Sequence, residues 1–267
     1  MKHLGDLAIV GVGNMGSAMV DGLLRAGVDA RTLVLVEANA ERRVQLATTY
    51  PTARIVASID AHEGAIDGAV IAVKPGDVDA ACTALAARGV GRIISIAAGV
   101  TLARLQGWCG SNVAVVRAMP NTPAVVGKST TAMATSANCV AADVAWAQAI
   151  LGAIGVVVEL PESSIDAFTG LIGSGPAYVF YVAEALLDAA RAAGLPRPEE
   201  LVASLLVGSA ALVEREPGSP AELRRRVTSP NGTTAAGIAA LDDRDVHAAF
   251  VAAVERATAR SRELGSA

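Results

Sequence analysis

The sequence predicts an α/β chain in two parts: a doubly wound, mainly parallel sheet over residues 1–160, followed by an all-α region over 161–267. Three observations carry this. Short apolar runs alternate with helical stretches as far as Leu160-Pro161, strand signals stop there, and a glycine-rich turn separates the first run from the first helix.

Leu7–Val10, Leu33–Val36, Ala69–Val73, Ile93–Ile96 and Val113–Val116 are continuous apolar runs, the pattern of parallel strands covered on both faces. Val156–Glu159 reads as a last strand and Thr130–Ala134 as a weaker one. Helical stretches lie between most of them, such as Ser17–Ala26, which Gly27 stops. Beyond Pro161 the helices run approximately Ser164–Ala193, Pro198–Glu214, Pro220–Val227, Thr234–Leu241 and Asp243–Leu264. Gly194-Leu195-Pro196 ends the first, and Pro198 opens the second with Glu199 and Glu200 in its first turn. Ser219-Pro220-Ala221-Glu222 fits a capping box with proline at the first helical position.

Composition narrows the function. With 52% hydrophobic residues the chain can bury a large core, and a net charge of −4 gives no electrostatic footprint for nucleic acid. Cys82, Cys109 and Cys139 have no metal or redox spacing and read as apolar thiols in a reducing compartment. The apolar N-terminus runs into glycines, not into a cleavage site, so a soluble cytoplasmic protein is expected. The uncharged segment Ala167–Ala183 is the nearest thing to a membrane span, but it is short and rich in glycine, and reads as a buried helix. Leu201–Val213 is apolar on nearly every face and must be covered all round, which predicts a homodimer with this helix near the interface; a central helix wrapped by its own neighbours is the alternative.

Gly11-Val12-Gly13-Asn14-Met15-Gly16 matches G-x-G-x-x-G between a predicted strand and a predicted helix, the context of a Rossmann dinucleotide site. Glu37 ends the second strand, placed to accept hydrogen bonds from an adenosine ribose, and it leans the choice between NADPH and NADH towards NADH. Arg42 and Arg43 follow closely and suit either a 2′-phosphate or a solvated helix face. Three more clusters follow strand ends, where open parallel sheets bind ligands: Lys74-Pro75, with Ala72 and Val73 closing the strand before it as further cofactor-binding candidates, Ala97-Ala98-Gly99, and Met119-Pro120-Asn121-Thr122-Pro123. Ala97 and Ala98 leave room for a nicotinamide ring, and the Asn121 amide is placed to pair with its carboxamide. In the helical half, Ser229-Pro230-Asn231-Gly232-Thr233-Thr234 precedes a helix and offers N–H groups and hydroxyls to a small carboxylate, or caps that helix. A reductant site and a small-acid site in one chain predict a dehydrogenase or reductase.

These motifs, GVGNMG, AVKPG, SIAAGVT, RAMPNTPA, TGLIGSGPAYVF and VTSPNGTT, stand in the order seen in pyrroline-5-carboxylate reductases, and the chain resembles that family over nearly its whole length. The resemblance implies a Rossmann domain (1–160), a helical dimerisation and substrate-binding domain (161–267), and NAD(P)H-dependent reduction of 1-pyrroline-5-carboxylate to L-proline. It places the cofactor loop on Gly11 to Gly16, the Val-Lys-Pro segment on Val73 to Pro75, and the substrate loop on Ser229, Asn231, Gly232, Thr233 and Thr234, with Thr234 touching the substrate nitrogen. Glu162 aligns with a ligand-facing position. The family usually has glycine where Asn231 stands, and a small or hydroxyl residue where Glu37 stands in NADPH-preferring members; asparagine tolerates the left-handed backbone that such a turn needs.

Imine reduction needs little acid–base machinery, and the sequence fits. His3, His62 and His247 are isolated, the helical half contains no lysine, and no metal-ligand spacing occurs. Catalysis is then expected from positioning and electrostatics. The expected partners are the small-molecule substrate and a second copy of the chain, with a higher oligomer of dimers left open, and neither nucleic acid nor membrane. Two rivals stand beside this reading: a reductase of another cyclic imine or ketone acid, and a catalytically inactive nicotinamide sensor.

Overall fold

The computed structural model describes residues 5–216 and 219–266. The chain packs as two compact units, Met1–Ser174 together with Ala257–Ala267, and Gly175–Arg256. Strands cease near Leu160, as expected, but the packing boundary falls later, after a helical stretch that belongs to the first unit, and the end of the last helix returns to that unit.

The first unit is built on eight strands: β1 (Leu7–Val10), β2 (Leu33–Val36), β3 (Arg54–Val56), β4 (Gly68–Ile71), β5 (Arg92–Ser95), β6 (Ala114–Met119), β7 (Ser129–Thr135) and β8 (Gly155–Glu159). They lie in the order β3-β2-β1-β4-β5-β6-β7-β8. Every pair is parallel except β6–β7. The first six keep the doubly wound order, whose direction reverses beside β1 and opens a crevice at the strand ends there.

Five helices cover the sheet: α1 (Asn14–Arg25), α2 (Ala40–Thr49), α3 (Val78–Ala87), α4 (Leu102–Cys109) and α5 (Ala141–Gly152). Side chains alternate across each strand. Leu7, Ile9, Leu33 and Leu35 therefore pack on one face with Met19, Leu23 and Ile150, while Ala8, Val34 and Ile93 pack on the other with Cys82, Leu85 and Leu105. Each large aliphatic side chain buried in this way contributes about 1.5–3 kcal/mol. Cys82 and Cys109, distant in sequence, meet between α3 and α4; the Cys109 thiol and burial together push the Cys82 thiol up.

The stretch expected as one helix from Ser164 to Ala193 is broken. α6 (Ile165–Phe168) passes into a π turn, Thr169–Gly173, in which the Ser174 N–H donates to the Thr169 carbonyl at 2.8 Å, before α7 (Gly175–Ala192) begins. α8 (Pro198–Arg215), α9 (Pro220–Arg226), α10 (Thr233–Asp242) and α11 (Val246–Ser266) follow. Asp245, with φ 50°, separates the last two, so α11 begins later than the expected Asp243. The Ser219 hydroxyl accepts from the Glu222 N–H at 3.0 Å, the expected cap; the Glu222 carboxylate turns to Arg225 and Arg226, which hold its pKa below the usual range.

The described residues of a single chain leave much of α7 and α8 uncovered, so the burial expected for Ala167–Ala183 is not reached within one copy. Ala190 is the buried residue of α7 and Val202 that of α8, while Phe180, Tyr181, Leu205 and Val207 are exposed, Val207 by 70%. By length and composition the Glu162–Ala192 stretch is apolar enough to cross a membrane.

Candidate functional site

The glycine turn after β1 assigns each glycine a distinct task. Gly11 has φ 87°, and its N–H donates to the Val36 carbonyl at 2.8 Å. A Cβ there would sit 2.8 Å from Val73 Cγ1 and 2.9 Å from the Ala72 carbonyl oxygen. A Cβ on Gly16 would collide with the Gly11 carbonyl, so this glycine lets α1 pack against the turn. Gly13 differs: it begins α1, no side chain caps it, and nothing lies within 4 Å of where its Cβ would be. Open space over Gly13 at the N-terminus of a 12-residue helix suits a diphosphate; of its expected neighbours, Asn14 is exposed, while Val12 is buried and Met15 packs against the core. Beside it is a cavity of about 610 Å³ lined by Gly11, Gly13, Glu37, Ser58, Lys74 and Ala81 among others. The residues present fit a dinucleotide.

Glu37 stands at the end of β2 on that cavity. Its Oε2 accepts from the Val12 N–H at 3.1 Å and its Oε1 from the Asn39 N–H at 3.0 Å. The carboxylate is thus oriented by backbone, at the place where a ribose hydroxyl would lie. Neither arginine forms a solvated face. Arg42 donates to the Val12 carbonyl at 3.1 Å and to the Ser17 hydroxyl at 2.8 Å, bracing the glycine turn from behind. Arg43 donates to the carbonyls of Glu37 (2.9 Å) and Ala38 (2.7 Å).

The other strand ends come together in the same unit. The Ala72 N–H donates to the Val10 carbonyl at 2.7 Å, carrying Val73, Lys74 and Pro75 to the rim, where the exposed Lys74 ammonium has no partner among the described residues. Ala97 is buried and Ala98 exposed. Gly99, at φ 76°, abuts the end of α11: a Cβ there would lie 3.2 Å from the Leu264 carbonyl carbon.

Asn121 is bonded within the first unit. Its side-chain oxygen accepts from the Ser129 hydroxyl at 3.1 Å and from the Thr130 N–H at 3.0 Å, and its amide donates to the Ile172 carbonyl at 3.0 Å. Both lone pairs of the oxygen are used, so the amide ties its loop to β7 and to the π turn, whose wider winding leaves the Ile172 carbonyl to accept it. That is a structural task for the oxygen and for one amide N–H, and it leaves the second amide N–H for the expected nicotinamide carboxamide.

Glu162 is bonded within the first unit. Its Oε1 accepts from the Leu102 N–H at 2.7 Å and pairs with Arg117 at 2.9 Å. Sequence reading missed Arg117, although a lone cation inside the apolar run Val113–Met119 was the signal. Its side chain is 6% exposed, and its other nitrogen lies 3.9 Å from Asp166, which accepts from the Ser261 hydroxyl at 2.7 Å.

The Ser229–Thr234 turn lies in the second unit. Asn231 adopts φ 56°, the left-handed form expected of it. The Gly232 N–H donates to the Ser229 carbonyl at 3.1 Å, and a Cβ on Gly232 would collide with the Ser229 hydroxyl. Gly232 is the N-cap of α10 and no side chain caps that helix. Neither Ser229 nor Thr233 does the capping that was the alternative to anion binding. The Ser229, Thr233 and Thr234 hydroxyls have no partner among the described residues. A turn closed by its own backbone therefore presents N–H groups and hydroxyls at an uncapped helix N-terminus.

Residues 162–264 match the family described as pyrroline-5-carboxylate reductase dimerisation, and residues 6–99 match NADP oxidoreductase, coenzyme F420-dependent. A pyrroline-5-carboxylate reductase of Synechocystis sp. is 41% identical, covering 97% of this chain and 98% of that protein. The solved structure of a pyrroline-5-carboxylate reductase from Coxiella burnetii superposes with a TM-score of 0.89 at 30% identity, over 98% and 99% of the two chains. That of the Plasmodium falciparum pyrroline carboxylate reductase, which has NADP bound, gives 0.88 at 27%, over 99% and 100%. With an uncapped, threonine-bearing turn in one unit, a glycine-cradled dinucleotide crevice in the other, and full-length relatives at this identity, the chain belongs to the pyrroline-5-carboxylate reductase family.

Proposed function

We propose that the chain reduces 1-pyrroline-5-carboxylate to L-proline, as a homodimer in the cytoplasm, with NADH preferred over NADPH. The observation that carries the substrate is the uncapped start of α10. The N–H groups of Asn231 and Thr233, on the turn that the Gly232 N–H closes, hold the substrate carboxylate, aided by the Ser229 hydroxyl and the helix dipole. Thr234 hydrogen-bonds the ring nitrogen and orients the ring. When bound, the reduced nicotinamide supplies a hydride to the imine carbon. A substrate that arrives as the iminium ion needs no proton from the protein in that step, in keeping with a helical half that contains no lysine. Positioning and charge complementarity supply the rate.

The cofactor preference rests on Glu37. Its carboxylate faces the cavity, where it would accept from a ribose 2′-hydroxyl and repel a 2′-phosphate, and both neighbouring guanidinium groups are engaged by protein oxygens. The dimer rests on the exposed apolar surface of α7 and α8 within the dimerisation match. Absorbance-followed oxidation of NADH and of NADPH, each dependent on pyrroline-5-carboxylate, tests substrate and cofactor together. Faster turnover on a six-membered cyclic imine would replace the substrate. Cofactor binding with no turnover on any imine acid would leave a sensor.

A further inference from the structure

Arg117 sits near the carboxyl end of β6, two residues before the Met119–Pro120 bend, at the edge of the sheet where ligands bind in doubly wound folds. A guanidinium buried to 6% exposure costs more than a neutral side chain of its size, so a buried ion pair is weak grounds for stability alone. What distinguishes this one is where its partner leads. The Glu162 oxygen that pairs with Arg117 also accepts from the Leu102 N–H at 2.7 Å, at the first residue of α4. The turn entering α4 is Ala97-Ala98-Gly99-Val100-Thr101, the small-residue segment beside the expected nicotinamide position. From the other side, Asp166 receives the Ser261 hydroxyl of α11 at 2.7 Å, and the same helix end lies against Gly99, with Gly265 3.3 Å from the Gly99 carbonyl oxygen by its would-be Cβ. The buried cation and its two carboxylates therefore brace one short turn, at its Leu102 end through Glu162 and at Gly99 through α11.

We propose that Arg117 is a positioning residue for the nicotinamide half of the cofactor site: through Glu162 it sets the Ala97–Thr101 turn against which the ring lies. The proposal rests on the dinucleotide reading of the crevice but not on the identity of the imine.

The test compares the Kd of NADH with that of ADP-ribose, which lacks the nicotinamide, in wild type and in Arg117→Met, with thermal melting recorded alongside. Wild type binds NADH more tightly than ADP-ribose. In R117M that ratio falls at least fivefold towards one, ADP-ribose affinity stays within twofold, and kcat falls at least tenfold. Arg117→Lys, which keeps the charge, recovers part of the ratio. Should R117M not fold, Glu162→Gln serves in its place: it puts a neutral acceptor where the carboxylate meets Leu102 and Arg117, and the weakened brace lowers the ratio in the same direction. A folded variant with a lowered Tm but wild-type ratio and kcat overturns the proposal and leaves Arg117 a purely structural residue. If wild type turns over no pyrroline-5-carboxylate yet the ratio responds, the proposed substrate fails and this inference stands.

Discussion

The backbone N–H of Val12 donates to Glu37 Oε2 at 3.1 Å, so the glycine turn itself holds the carboxylate that faces the dinucleotide cavity. A second bond from the Asn39 N–H at 3.0 Å removes most of its rotational freedom. A fixed anion at a ribose site opposes a 2′-phosphate more strongly than a mobile one, because it cannot swing away. Glu37→Ser is therefore expected to lower the ratio of kcat/KM for NADH to that for NADPH by about 10- to 100-fold, or about 1.4–2.7 kcal/mol. Steady-state kinetics with both cofactors measures it. An unchanged ratio would remove Glu37 from cofactor choice.

Gly13 and Gly16 look alike in sequence and differ in the fold. Gly13→Ala adds a methyl into open space at an ordinary φ of −75°, so the melting temperature should hold while cofactor Kd rises at least tenfold, the methyl standing where the diphosphate approaches. Gly16→Ala drives a methyl into the Gly11 carbonyl oxygen, and stability and binding should fall together. Calorimetry paired with fluorescence titration separates the two. Equal behaviour in both variants would mean that neither the cradle nor the packing is as described.

Much of this was legible in the sequence because the physics was local. Leu7–Val10 and Leu33–Val36 are strands to the residue, since a strand buried on both faces must be continuously apolar and glycine or polar residues bound each run. β3 escaped because three residues beginning with Arg54 show no period. The π turn escaped for a different reason. The glycines of Thr169–Gly173 are visible, but the partner of the Ile172 carbonyl is Asn121, 51 residues earlier, and no local pattern records that bond. The same long-range bonding gives Asn121 a structural task that its loop sequence does not announce. The shape of the Ser229–Thr234 turn was legible, because Asn-Gly before a helix constrains the backbone on its own.

Thr234→Ala removes a hydroxyl that no described residue uses, on a turn closed by Gly232 and Ser229 alone. The fold should therefore tolerate the change. If the hydroxyl holds the ring nitrogen, kcat falls about 10- to 100-fold, equivalent to about 1.4–2.7 kcal/mol of transition-state stabilisation, and cofactor Kd stays within twofold. Wild-type turnover in this variant would take Thr234 out of the mechanism.

Val207 is 70% exposed on α8 and Leu205 54%, in a helix that water would otherwise wet on apolar faces. A second copy covering them makes Val207→Glu intolerable in the assembly and harmless in the isolated chain. Sedimentation velocity at micromolar concentration should show a dimer for wild type and monomer for V207E, with the far-ultraviolet circular dichroism of the two alike. A wild-type monomer, or a dimeric V207E, would move the interface elsewhere.

Tyr50 closes α2 and donates its hydroxyl to Asp21 on α1 at 2.8 Å. Burial first, and the Asp21 carboxylate next, push its pKa up to about 12 from an ordinary value of 10.0. The protonated phenol is the favoured form in the fold. Its contribution is thus fully present below pH 10 and is lost as the pH rises through about 12, where an anion would have to sit beside Asp21. Tyr50→Phe removes the bond to Asp21 and should lower stability near neutral pH by about 0.5–1.5 kcal/mol. It should also remove that group's share of the alkaline loss. The melting temperatures of wild type and Y50F should therefore differ at pH 8 and draw together between pH 10 and 12. Curves that stay parallel across that interval would show that the phenol does not titrate in the folded chain as described.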